Sequence, residues 1–194
     1  MNGFAAPRMK LTPVTILAAL LCPPALGAAS QTLVIDPNRS SVEVGVQATI
    51  DSFTARFTGF TADLSIQGDG VERVSGQIHF ILASLRTDDT DRDEQMYKWL
   101  ENDKFPNADV ALENLVPDGH GDFAGKGKLK FHGTERDVSF PVKIKLDQGT
   151  LTVEGDATLD TRDYGLPIYR RFLIFSVNPV VHVRFRVTGR LAPQ

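Results

Sequence analysis

The chain has 194 residues, room for one domain of ordinary size, and its 42% apolar and 23% charged content excludes a disordered chain. A net charge of −3 offers no basic excess for nucleic acid, and a single Cys excludes a disulfide framework or a multi-thiolate metal site.

Residues 1–29 read as a secretory leader. Arg8 and Lys10 precede an apolar run from Leu11 to Leu21, and Ala25, Gly27, Ala28 and Ala29 follow. A basic start, a short apolar stretch and small residues behind it form the signal-peptide pattern, with cleavage expected after Gly27 or Ala29. The run is too short to span a bilayer. Cys22 follows Leu21 rather than a small residue, so it is expected to leave with the leader and not to carry a lipid. Without Arg8 and Lys10 the 21 basic residues fall to 19 against 24 acidic, a net charge of −5. The expected mature protein is a single thiol-free periplasmic domain over 30–194.

Period-two alternation dominates that domain, the mark of strands with one buried face. Val42, Val44, Val46, Ala48 and Ile50 form the first apolar phase, and Phe53, Ala55 and Phe57 continue it. At Gly59 the phase flips to Phe60, Ala62, Leu64 and Ile66, which predicts a β-bulge that bends a long strand around a barrel. Val74, Gly76, Ile78, Phe80 and Leu82 come next. Between 88 and 105 the pattern changes: acidic residues, then Met96, Trp99 and Leu100 at helical spacing, then Pro106. This predicts one short helix over about 89–103. Alternation returns with Leu129 and Phe131, Val138 to Leu146, Leu151 to Leu159, and Val181 to Val187, separated by Gly- and Asp-rich turns. The fold class is all-β, an antiparallel barrel or sandwich of about eight strands with water on one side of the sheet.

Little in the chain points to catalysis. Asp89, Asp91 and Asp93 have the spacing of a calcium loop, but Glu94 and Leu100 stand where that loop needs Gly and a bidentate Glu. Acidity at a helix start, with Thr87, Asp88 or Asp89 as N-cap, accounts for them. His79, His132 and His182 fall on polar phases of their strands and His120 in a turn, so no metal site and no general base is expected. Lys126, Lys128, Lys130, Lys143 and Lys145 line the outward face of one hairpin. They are either a solvated face or a place for transient contact with an anionic membrane. The inward phases carry many large side chains, including Phe53, Phe57, Phe60, Phe80, Phe140 and Phe185. The stretch 164–175 is strongly apolar around Arg170 and Arg171. A filled core with an edge strand explains these, and so does an apolar lumen with cations at its rim.

Several short pieces, in order, resemble the YceI-like family of polyisoprenoid-binding periplasmic proteins over nearly the whole mature chain. They are Ile35-Asp36-Pro37 with Ser40; Phe57 with Gly59; Leu85-Arg86-Thr87, Arg92-Asp93, Trp99-Leu100 and Phe105-Pro106; Gly127, Leu129, Gly133 and Val138; and Arg162-Asp163-Tyr164-Gly165. The resemblance implies a lipocalin-like antiparallel barrel whose elongated apolar lumen holds an isoprenoid, a quinone or a similar amphipathic lipid. It needs no cofactor or metal, no nucleic acid and no chemistry on the ligand. On that basis Phe57, Phe60, Ile78, Phe80, Met96, Trp99, Phe140, Ile144 and Tyr164 are the expected lumen or lid residues. Arg170 and Arg171 are the expected head-group contacts. A lipid isomerase or cyclase in a barrel, and an interaction module with a filled core, are the competing readings.

Overall fold

The computed structural model describes residues 30–67, 73–171 and 175–193. The expected leader, Phe172, Leu173, Ile174 and the side chain of Arg171 lie outside the described residues. The strands are β1 (Ser30–Ile35), β2 (Ser41–Val46), β3 (Phe53–Phe57), β4 (Phe60–Gln67), β5 (Val74–Ile81) and β6 (Leu85–Arg86). Helix α1 (Thr90–Trp99) follows. Then come β7 (Asn107–Pro117), β8 (Phe123–Phe131), β9 (Thr134–Asp147), β10 (Thr150–Asp160), β11 (Arg170–Arg171), β12 (Phe175–Ser176) and β13 (Val180–Pro193).

All strand pairs are antiparallel, and the order β1-β4-β5-β7-β8-β9-β10-β13 closes on itself through β1 and β13. This is a closed eight-stranded barrel with one short helix. The branch β2-β3-β6 belongs to the same wall. β1 and β2 run along successive parts of β13; β3 and β4, and β5 and β6, are likewise halves of bent strands. The phase flip at Gly59 is therefore a full break between β3 and β4 rather than a bulge within one ladder. The bends are braced to one another by side chains. Thr58 N–H donates to the Ser84 carbonyl at 3.0 Å, and the Ser84 hydroxyl donates to the Gly59 carbonyl at 3.1 Å. At the first bend the Ser40 hydroxyl donates to the Asp36 carbonyl at 2.8 Å and accepts from Thr188 N–H at 3.0 Å. Backbone groups that leave a ladder at a bend still need partners, and these hydroxyls supply them.

Two expected features end earlier than the pattern suggests. The apolar phase Val42 to Ile50 stops being a strand at Val46. Beyond it Gln47 and Thr49 bond to Asn178 and Ser176, and Ile50 is 68% exposed at a loop tip. The helix ends at Trp99 rather than near 103, because Glu101 takes the left-handed conformation (φ 49°). Asn102 N–H then reaches the Tyr97 carbonyl at 3.0 Å and Glu101 N–H the Lys98 carbonyl at 3.2 Å, a Schellman closure made without glycine. At the other end Asp89 is the N-cap, accepting from Arg92 N–H at 3.0 Å.

Candidate functional site: the inner wall and the helix end

The barrel interior is divided along its length. Toward the β7–β8 and β9–β10 turns, Leu33, Leu64, Ile66, Val74, Leu115, Val142, Leu151 and Val187 form a buried cluster. At the helix end a second cluster holds Leu82, Leu100, Ala108, Phe131, Tyr164 and Leu166. Between them lies a band of inward-facing apolar side chains that are only partly buried. Register places these residues in rows: Phe60 faces Phe80 across β4 and β5, and Ile78 faces Val110, which faces Leu129. Phe57 and Phe60 put their ring centroids 4.8 and 5.6 Å from that of Phe80.

The expected lumen residues divide accordingly. Phe57, Phe60, Ile78, Phe80, Phe140 and Ile144 lie on the inner phase and are half-buried. Met96 and Trp99 project from α1 onto the helix-end cluster. Tyr164, 2% exposed, sits inside that cluster with its ring 5.5 Å from Phe131, as part of the closure. Arg170 is exposed on β11, and among the described residues no bond ties it to the inner wall. Val110, Leu112 and Val153 belong to the same band; Val110 and Leu112 come from β7, a strand that the apolar phases read from the sequence did not mark.

Helix α1 is fastened across its end of the barrel by contacts that local sequence does not announce. The Trp99 indole N–H donates to the Pro167 carbonyl at 2.8 Å, and the Tyr169 hydroxyl to Gln95 Oε1 at 2.9 Å. The start of the helix is held by Asp93, 5% exposed, whose Oδ1 accepts from Thr87 N–H at 2.8 Å and from the Thr87 hydroxyl at 2.7 Å. The middle carboxylate of the calcium-like spacing is thus committed to a strand–helix joint. Arg92 stacks 4.6 Å over the Phe53 ring and reaches Asp51 at 3.3 Å, tying α1 to the β2–β3 loop. Among the described residues no group of three or more His, Cys, Asp or Glu side chains gathers as a metal site would require.

His132 departs from its expected place on a polar strand face. It sits in the β8–β9 turn at φ 48°, packed 4.2 Å from the Phe105 ring. Its Nδ1–H donates to the Tyr164 carbonyl at 3.0 Å, and Nε2 lies 3.5 Å from the Glu101 carboxylate. The turn needs two successive left-handed residues, and that geometry tucks the imidazole under the helix end. The lysine stripe is interrupted as well. Lys128 pairs with Asp137 at 2.7 Å and Lys143 lies 3.9 Å from Asp122, so the outer face is a mosaic of both signs.

Burial pushes the Tyr164 phenol above its ordinary pKa, partly opposed by the nearby Arg136 guanidinium. The folded phenol ionises at higher pH than the unfolded one. Its contribution to stability is therefore complete below about pH 10 and is lost as pH rises through the folded value. Burial raises Tyr97 in the same direction. We expect urea stability to fall above about pH 10 and to fall less steeply in Tyr164→Phe, with Tyr97 and Lys128, the latter raised by its hydrogen bond to Asp137, contributing to what remains. Equal alkaline slopes for parent and variant would contradict this.

A family profile described as the YceI-like domain matches residues 33–189. The chain belongs to the YceI-like family. Among solved structures, BcnA of Burkholderia cenocepacia is similar with a TM-score of 0.71 at 19% identity, covering 80% of this chain and 99% of its own. A polyisoprenoid-binding domain from Saccharophagus degradans, implicated in plant cell wall breakdown, has a TM-score of 0.59 at 17% identity, covering 85% and 99%. The Campylobacter jejuni YCEI protein has 0.57 at 11% identity, covering 75% and 86%. No curated protein matches the chain. The quoted YceI-like pieces now have physical roles: Ser40 and Gly59 sit at strand bends, Thr87 and Asp93 at the helix joint, Trp99 and Tyr164 in the closure.

Proposed function

We propose that this YceI-like barrel is an exported carrier that holds one long-chain amphiphile, an isoprenoid or a similar lipid, inside its wall and performs no chemistry on it. The observation that carries the reading is the half-exposed apolar band between two sealed clusters. In a filled barrel those side chains would be as buried as Val142, which is 1% exposed. Incomplete contact of this kind is what a wall shaped to receive a hydrocarbon chain would have in its empty state. The leader pattern of 1–29 supports export to the periplasm. The similar domain from Saccharophagus degradans, a polyisoprenoid-binding one, supports the ligand class.

Burying about 20 methylenes offers on the order of 16 kcal/mol gross, at roughly 0.8 kcal/mol each. Ordering and immobilising the chain consumes much of this, which suits a carrier that must also release its load. Protein purified from its native periplasm and extracted with organic solvent is expected to yield about one long-chain lipid per chain by mass spectrometry. An extract free of lipid, together with no uptake of a dansyl-tagged polyprenol, overturns the reading.

A further inference from the structure

The barrel wall has a seam. β9 pairs with β8 over Thr134 to Val142, but with β10 only from Val142↔Gly155 to Asp147↔Thr150. From Pro141 and Asp156 toward the helix end, β9 holds only β8 and β10 holds only β13. Pro141 has no N–H to give to a ladder, so the pairing ends where the proline enters.

Three observations place this seam over the half-exposed band. Phe140 and Phe185, both on the inner phase, meet edge to face there, with centroids 5.5 Å apart at 88°. Gly155 lies at the seam's lower end, where any side chain would strike the Phe185 ring and come within 2.8 Å of the Pro141 carbonyl oxygen. An outer groove of about 430 Å³ runs over the same place, and its lining includes Pro141, Gly155 and Phe185. The groove outside and the ring pair inside thus lie on the two faces of the same stretch of wall. Farther up, Arg136 stands on the inner phase of β9 yet is exposed, its Nε–H donating to the Asp163 carbonyl at 2.6 Å.

We propose that the seam between β9 and β10 is a lateral port for the hydrocarbon chain, with the Phe140–Phe185 ring pair as its gate. This rests on the carrier reading. The helix end is an unfavourable route by comparison. Opening it exposes the buried cluster around Phe131 and Leu166 and breaks the Trp99–Pro167 and Tyr169–Gln95 bonds. The seam has no ladder to break, and rotating two aromatic rings gives an apolar chain a passage lined by carbon. The groove rim carries both signs, with Arg186–Glu154 at 3.1 Å and Arg184–Asp156 at 3.9 Å, so it suits a polar or zwitterionic head more than a strongly anionic one.

The test links the seam. Ser139 and Thr158 both face outward, on opposite sides and beyond the last pair. In a Cys22→Ser chain, Ser139→Cys and Thr158→Cys are joined by a short bis-maleimide after loading with dansyl-tagged geranylgeraniol. Release into phosphatidylcholine vesicles is then followed by fluorescence. The expected result is release slowed by roughly tenfold or more, with the amount bound unchanged. Gln95→Cys joined to Tyr169→Cys, which locks the helix end, is expected to leave release unchanged. Unchanged release with the seam linked, or a block produced only by locking the helix end, overturns the port while leaving the carrier reading intact. A parent chain that takes up no probe overturns the carrier reading, and the port with it.

Discussion

Replacing Ile78 or Val110 with tryptophan is expected to abolish lipid retention while leaving the thermal midpoint within a few degrees of the parent. The two residues face each other across β5 and β7 on the inner wall, and both are only partly buried. An indole placed there displaces about four methylenes of ligand, worth about 3 kcal/mol at roughly 0.8 kcal/mol each, or on the order of a hundredfold in affinity. In a filled core the same change would force overpacking at about 1–3 kcal/mol, lowering the midpoint by several degrees. The paired measurement therefore separates a hollow barrel from a full one. Lost retention of a dansyl-tagged polyprenol with a steady midpoint supports the carrier. A fallen midpoint with retention unaffected sinks it.

The second large effect is expected at Asp93. Asp93→Ala removes the acceptor of both the Thr87 N–H and the Thr87 hydroxyl, at a residue that is 7% exposed. The Thr87 N–H is then left unsatisfied, at about 1–3 kcal/mol where water cannot replace the carboxylate, while the hydroxyl keeps the Asp89 carbonyl at 3.2 Å. We expect a loss of about 1–3 kcal/mol and a midpoint lower by roughly 2–12 °C. The damage is local to the joint between β6 and α1, so amide exchange in Thr90–Trp99 is expected to accelerate more than in β8 or β13. Uniform acceleration across the barrel would show that the joint supports the whole wall rather than the closure alone. Thr87→Val is a gentler companion, since it removes the hydroxyl bond but keeps the backbone one.

Most of the strands, their inward phase and the single helix were legible in the chain, because each depends on residues a few positions apart; β7 was not, since a register shift between Leu112 and Asn114 breaks its alternation. Phe60, Ile78, Phe80 and Phe140 do face inward as alternation requires. Errors arose where a neighbour distant in sequence took over. Ile50 continues an apolar phase but leaves the sheet because the backbone around it bonds to the segment before β13. His132 alternates like a solvent-facing residue but sits in a turn that folds it beneath Phe105. The resemblance grouped Tyr164 with Phe80 as lumen or lid residues, and the structure separates them: one is sealed in the closure and the other lines the unsealed band.

Length and composition allowed one domain with a sizeable core, and the periodic pattern made that core the inside of a curved sheet. Those conclusions follow from side-chain sterics and solubility, which act locally. Whether the inside is packed or open along its length depends on how eight strands share the circumference. So does the place where the wall parts, beside Pro141. The fastening of α1 depends on partners 68 and 74 residues away, the Pro167 carbonyl for Trp99 and Tyr169 for Gln95. No short-range pattern encodes such contacts. They form only once barrel closure has brought the two chain segments to the same rim, and tertiary structure alone decides them.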